Sequence, residues 1–362
     1  MTSAGAGTLD EAYERLHATG PEFDGFLSNH GPMAAEAMVR HGHSDRVGPW
    51  LDVYMRRLEE FPRGLSPIGS DWHEALGDLR RVADWTAFFR AEIGERPWRE
   101  VLNAWWPRLL PGVVAAATHG VIRVGHAVRA LLADGEDPAR LAELAHGLAY
   151  WAARWQTLPR GYAGASAAAA ASLARVATPL DALAAVPRIA EQAGGISDRL
   201  ARLGALPAWP AALTGFSLPA VPEQIRTLLA ELVDAATLRY LFYGHGNGVM
   251  LVHSATAPSA ILRTLPALDE ALWAPSLSAS WAASSALTAV YAPAEPASRG
   301  QLPEPAGGQS RDEAAGEVFA RAVGHGDAHV IKFADTAVDV FARTGNPDAI
   351  AAALRAAQLI AP

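Results

Sequence analysis

An all-α fold follows from three features of the sequence. Apolar residues recur at three- and four-residue spacing through most of the chain, the mark of amphipathic helices. Alternation of period two, which would signal half-buried strands, is nearly absent. Proline and glycine fall at the ends of the periodic runs, where helices start and stop. The expectation is a single large helical domain over residues 1–362. Half of the residues are apolar and 19% are charged, so a sizeable core can form and disorder is excluded as the general state.

Taken in order, Leu9 to Ala18 opens the chain as a helix. Pro32 is placed as the first helical residue of Met33 to Arg40, and Gly42 can close that helix. Val47 to Phe61, Asp84 to Ile93 and Trp98 to Trp106 read as amphipathic helices. Pro111 starts or kinks a helix running to Ala133, and Pro138 to Trp155 is another. Ala165 to Ala177 is helix on alanine propensity. Pro187 to Pro219 is loop with short helical pieces. Pro222 to Tyr243, Ala257 to Leu272 and Ser276 to Tyr291 follow. Pro293 to Gln309 reads as a flexible loop or lid. Arg311 to Val323, Asp327 to Thr344 and Pro347 to Leu359 complete the set.

Composition removes several functions. The net charge is −8 with no basic tract, which argues against nucleic-acid binding. There is no cysteine, so disulfides, zinc ribbons, iron–sulfur clusters and thiol nucleophiles are excluded. Met1 to Thr8 lacks the basic and apolar regions of a secretory signal, and a cytoplasmic location is expected. The most apolar stretch, Leu109 to Leu132, carries His119, Arg123, His126 and Arg129, so no membrane span is expected.

Of the 30 basic residues, Lys332 alone is lysine. Arginine keeps its proton at any accessible pH, whereas a buried lysine can lose it. A neutral amine can form a Schiff base, act as a base, or take up carbon dioxide as a carbamate. Chance survival of one lysine is the competing reading.

Most of the twelve histidines have ordinary explanations. His17, His41 and His43 lie at helix ends and suit capping or the surface. His73 and His146 fit partly buried positions on amphipathic helices, and His245, in Gly244 to Gly248, fits a turn. Four positions stand apart because polar groups fall where a helix should be buried. His30 stands just before a helix start. His119 and His126 are seven apart, within about 20° around a helix axis but roughly 10 Å apart along it. One ion between them would require converging side chains or a bend at Gly120 or Gly125. His329 and Lys332 are one turn apart amid Val330, Ile331 and Phe333, and His325 joins that face if the helix starts early. His253 lies in another buried-looking run, Leu251 to Thr256.

These residues suggest a metal site in which a Lys332 carbamate substitutes for the carboxylate usual among non-haem iron ligands. No histidine motif has a carboxylate at H-x-D/E spacing, so a facial triad is not visible. An ordinary ion pair of Lys332 with Asp327 or Asp335 is the alternative. Arg123, one turn from both histidines of its helix, is placed either to orient an oxyanion or to form a structural ion pair. Eleven tryptophans suit core packing or a flat aromatic pocket.

At four motifs the chain resembles the questin oxidase family: Asn29-His30-Gly31-Pro32-Met33-Ala34-Ala35-Glu36-Ala37, His119 to Ala127, Leu251 to Thr256, and His329-Val330-Ile331-Lys332-Phe333. The resemblance runs from about Asp10 to Leu359. It implies a helical domain with a buried central metal site, and a mononuclear Fe(II) oxygenase. The ligands it implies are His30, His119, His126, His329 and Lys332 carrying a CO₂-derived carbamate. His253 is implied as substrate-facing, with a place among the ligands as the alternative. The partners implied are a small aromatic, quinone-like or polyketide-type molecule and O₂, with oxidative ring cleavage or a Baeyer–Villiger-type insertion as the reaction. NADPH is implied as a reductant; no dinucleotide fingerprint is present, so it would act from outside this chain. The longer segments of fungal members are missing, which leaves the substrate open. On the residues alone, a zinc hydrolase and a helical small-molecule-binding protein remain the rival classes. The oligomeric state stays open.

Overall fold

A computed structural model describes residues 3–159, 178–214, 219 and 221–362. The chain is all-α, with two two-residue strands as the β structure among the described residues. Its contacts sort into two compact units, residues 1–156 with 263–269, and residues 157–262 with 270–362. The expected helix at Ala165 to Ala177 lies outside the described residues.

The first unit opens with α1 (Ser3–His17) and a small antiparallel hairpin, β1 (Glu22–Phe23) and β2 (Leu27–Ser28). Then come α2 (Gly31–Arg40), α3 (Ser44–Tyr54), α4 (Val82–Glu95) and α5 (Trp98–Leu109). α6 (His119–Asp134) and α7 (Pro138–Ala153) follow. α7 is the hub, packing against α1, α4 and α6, while α2 packs on α1 and α6. Pro32 and Pro138 lie in first turns, where a missing N–H removes no helical bond. Asp137 caps α7 by accepting from the Ala139 N–H at 2.9 Å.

The α6–α7 approach depends on a missing side chain. A Cβ on Gly120 would lie 2.7 Å from the Trp151 Cβ and 2.8 Å from its Cα. Gly120 thus serves close helix packing, not the bend considered from sequence. Trp85, Trp105, Trp106 and Trp151 are fully buried in this unit. Trp85 stacks with Phe89 and meets Trp105 edge to face, so these rings build core and not an open aromatic pocket.

Three expected helix bounds differ by more than three residues in this unit. The first helix begins at Ser3, six residues before the expected Leu9. The helix from Val47 stops at Tyr54 with a short 3₁₀ turn to Arg57, because Glu59 and Glu60 pair with Gly20 and Thr19 in extended backbone. The helix placed after Pro111 begins only at His119. Ala116, Ala117 and Thr118 take left-handed φ values of 46°, 54° and 72°, incompatible with a continuous right-handed helix.

The second unit holds the short helices α8 (Pro179–Ala184), α9 (Ile196–Arg202) and α10 (Trp209–Leu213), then α11 (Pro222–Tyr243). They are followed by α12 (Gly248–Leu251), α13 (His253–Thr264), α14 (Trp273–Tyr291), α15 (Arg311–His325), α16 (Ala328–Thr344) and α17 (Pro347–Leu359). α11 packs against α8, α14, α16 and α17; α16 also packs on α15 and α17. The helix expected from Ala257 starts four residues earlier and ends at Thr264, where Pro266 lies in a 3₁₀ turn. Residues 293–309 are irregular but tied down. The Ala297 N–H donates to the Phe242 carbonyl at 2.8 Å, Arg299 pairs with Asp348 at 2.6 Å, and Leu302 is buried. Among the described residues, no helix is long and apolar enough to cross a membrane.

Gly120→Ala should lower stability by about 1–3 kcal/mol, since the added methyl must displace Trp151 or its backbone. Urea unfolding measures this, and an unchanged midpoint would show that the α6–α7 contact yields freely.

Candidate functional site

In the first unit, the chain is brought to His30 by the hairpin and to His119 by the left-handed run Ala116–Thr118. Both histidines are buried, at 5% and 6% exposure. Their Nε2 atoms face each other at 2.7 Å, with ring centroids 4.5 Å apart and planes tilted by 60°. The strained turn has a consequence for the tautomer. His119 Nδ1 lies 2.5 Å from the Ala116 carbonyl, which can only accept, so Nδ1 donates and Nε2 keeps its lone pair. Two imidazole nitrogens on one ion at about 2.0–2.1 Å, at a right angle, would stand about 2.9 Å apart. The observed pair is close to that separation, so the donors fit a metal.

His126 lies two turns along α6, buried, with Nδ1 2.7 Å from Glu36 Oε2. Arg129 also donates its Nε to Glu36 Oε1 at 2.8 Å. Burial alone would raise the Glu36 carboxyl, but Arg129 and His126 outweigh it and hold it down at about 2. Burial takes His126 down to about 4 against the pull of Glu36. Both shifts describe a neutral imidazole donating Nδ1–H to a carboxylate, with Nε2 left as a lone-pair donor. Outer carboxylates orient metal-binding histidines in this way. Glu36 lies in the Asn29–Ala37 motif, and its place beside His126 does not follow from local spacing. Its signal was there, as the one charged residue inside the buried run Gly31 to Val39.

Arg123 is buried, and its Nε and Nη2 reach the two oxygens of Glu143 at 2.6 and 2.8 Å. The structural ion pair is therefore made. Glu143 also meets His17 Nε2 at 2.9 Å, and His17 stacks on His146 at 4.3 Å. His17 is thus a largely buried partner of a carboxylate, not the cap or surface group expected. His146 is buried as expected, but His73 is exposed, in a 3₁₀ turn and stacked on Trp72.

In the second unit, Asp327 caps α16, its carboxylate accepting from the His329 and Val330 N–H groups at 2.8 and 3.2 Å. Starting the helix there sets its phase. His329 and Lys332 then share a face one turn apart, and Lys332 turns inward with 0% exposure. His253, also at 0% exposure, starts α13, with its ring 5.3 Å from His329 and edge-on to it. His325 is directed elsewhere, Nε2 reaching the Ile360 carbonyl at 3.1 Å.

The Lys332 Nζ is buried and has no hydrogen-bond partner among the described residues. Neither Asp327 nor Asp335 forms the ion pair considered from sequence. Burial lowers the amine to about 7, with Asp327 opposing weakly. Burial, with help from Lys332 and His329, depresses His253 well below the usual range. Burial likewise lowers His329, against Asp327 Oδ1 at 3.4 Å from its Nδ1. The set is two neutral imidazoles and an amine that loses its proton readily: donors to a cation, not to an anion.

A family model described as Questin oxidase-like matches residues 51–337, and no curated protein matches the chain. The matched span contains His119, His126, His253, His329 and Lys332, and begins after His30.

Glu143 yields a pH prediction. Burial would raise its carboxyl, but Arg123 and His17 bring it down to about 2 from 4.5. A depressed folded-state pKa adds stability that is present above the unfolded pKa and lost as pH falls through the folded one. That is about 3 kcal/mol between pH 4.5 and 2. Urea unfolding at pH 7, 4.5 and 3 should show Glu143→Gln already destabilised at pH 7, with a flatter pH dependence than wild type. Parallel curves for the two proteins would exclude the linkage.

Proposed function

The chain belongs to the questin oxidase-like family, and from that premise we propose that it is a mononuclear iron oxygenase acting on a small aromatic, quinone-like or polyketide-type molecule. Membership implies an oxygenase-type enzyme using a small-molecule substrate and O₂. The observation that carries the finer reading is the buried, unpartnered Lys332 amine beside two neutral histidines.

In this reading the ion is held by His30, His119, His126 and His329 and by a carbamate on Lys332. The carbamate forms when the neutral amine attacks CO₂: the new N–C bond gives R–NH–COO⁻ and one proton leaves. The product is an anionic oxygen donor, which supplies the negative charge that four neutral imidazoles lack. Arginine cannot do this because its guanidinium keeps its proton. A bound ferrous ion would supply the one-electron chemistry that makes O₂ an oxidant of closed-shell organic molecules.

The protein's own groups do the rest. Ala116 and Glu36 hold Nδ1–H of His119 and His126, so that Nε2 of each presents a lone pair. Asp327 fixes the start of α16 and so the side on which His329 and Lys332 emerge. His253 is proposed to face the substrate. A Baeyer–Villiger-type insertion places one oxygen atom in the substrate and sends the other to water, with two electrons and two protons from an external NADPH-type reductant. Ring cleavage that keeps both oxygen atoms needs no reductant.

Protein purified without a histidine tag and loaded with ferrous salt should hold one iron per chain. Zinc without O₂ uptake would favour hydrolysis, and no metal would overturn the centre. Lys332→Arg should cut iron binding at least about tenfold while far-UV circular dichroism stays near wild type, and ¹³C-bicarbonate should label the wild type alone. Full iron in this variant would refute the carbamate. His253→Ala should lose turnover and keep its iron; loss of iron would make His253 a ligand.

A further inference from the structure

Two arginines of the second unit, both drawn to one tyrosine ring, have no carboxylate partner among the described residues. Arg226, Arg299, Arg321 and Arg343 each pair with a carboxylate. Arg239, on α11, has no such pair among the described residues; its guanidinium lies 4.4 Å above the Tyr243 ring, and its buried Nη2 has no hydrogen-bond partner among them. Arg188, just after α8, approaches the same ring at 5.7 Å, and its buried Nε also lacks a partner. Burial lowers the Arg239 pKa, Tyr243 opposes this, and Arg188 lowers it further. Two like charges drawn to one ring and short of an anion are costly to keep unless something negative joins them.

A small, partly open cleft lies at Arg239. Its walls are largely apolar, from Leu183, Ala236, Leu251 and Ala292, with the rings of Tyr240 and Tyr243. Ser254, next in sequence to His253, also lines it.

We propose that this cleft binds a small aromatic carboxylate, its carboxylate held by Arg239 with support from Arg188 and its ring lying among the apolar walls. Arginine's planar fork matches a carboxylate, and the apolar walls favour an organic body over a bare oxyanion. As an anchor for the oxygenase substrate, the site rests on the function proposed above and narrows that substrate to an aromatic acid. As a carboxylate site, it stands alone.

Calorimetric titration with 1-naphthoate tests it, with 1-naphthamide as the neutral isostere and inorganic phosphate as the bare anion. Naphthoate should bind the wild type, with amide and phosphate each at least about tenfold weaker. Arg239→Gln should weaken naphthoate about tenfold or more, Arg239→Lys less, and Arg188→Gln by a smaller factor than Arg239→Gln. Without ligand, Arg239→Gln should unfold at a temperature no lower than wild type, since it removes an unpaired cation. No naphthoate binding, equal binding of acid and amide, phosphate binding as tight as naphthoate, or a clearly lower unfolding temperature for Arg239→Gln would each overturn the assignment. Iron measured on the same samples separates the two claims. Failed binding with iron retained removes only this site, and binding without iron removes only the oxygenase.

Discussion

An amine without a counter-charge is hard to bury. Transfer of an ammonium out of water costs several kcal/mol even after relaxation, and proteins meet that cost by pairing the charge or discharging it. Lys332 is fully buried, and neither Asp327 nor Asp335 takes its Nζ. Burial lowers the amine to about 7, which makes the uncharged form accessible near neutral pH. A neutral primary amine is a nucleophile. The apolar run Val330, Ile331 and Phe333 therefore does more than fill a core: it disfavours the charged form of the one lysine of the chain.

The histidines follow the same logic. An imidazole serves as a metal donor only when neutral, with its proton on the other nitrogen. For His119 the proton is held by the Ala116 carbonyl, presented by three consecutive left-handed residues. For His126 it is held by Glu36, itself pinned by Arg129. Left-handed backbone at a non-glycine residue is costly, and in Ala116–Thr118 that strain stands directly before a site residue. Arg239 and Arg188 make the complementary case, positive groups gathered without an acid.

Which parts were legible depended on the range of the forces involved. Helical periodicity and caps act within one or two turns, so Pro222–Tyr243 and Pro347–Leu359 match their expected bounds. Where distant segments interfere, the bounds moved. Extended pairing of Glu59 and Glu60 with the Thr19–Gly20 turn ended α3 early, and no residue between Ala116 and Thr118 announces a left-handed run. Lys332 was conspicuous because it is unique, and His30, His119, His253 and His329 because each interrupts an apolar stretch. Glu36, Glu143 and His17 were passed over, since each earns its place through a residue 90 to 126 positions away.

The sequence by itself determined the helical class, most of the helices, the family resemblance and the peculiarity of a single lysine. All of these rest on composition, local spacing or motif. The tertiary structure decided which polar groups are satisfied. Bringing Glu143 to Arg123 turned a possible substrate contact into an ion pair, and bringing Glu36 to His126 set a tautomer. Among the described residues it left buried nitrogens of Lys332 and Arg239 without hydrogen-bond partners. Desolvation and pairing are set by the whole surroundings of a side chain, and folding assembles those surroundings from segments far apart in the chain.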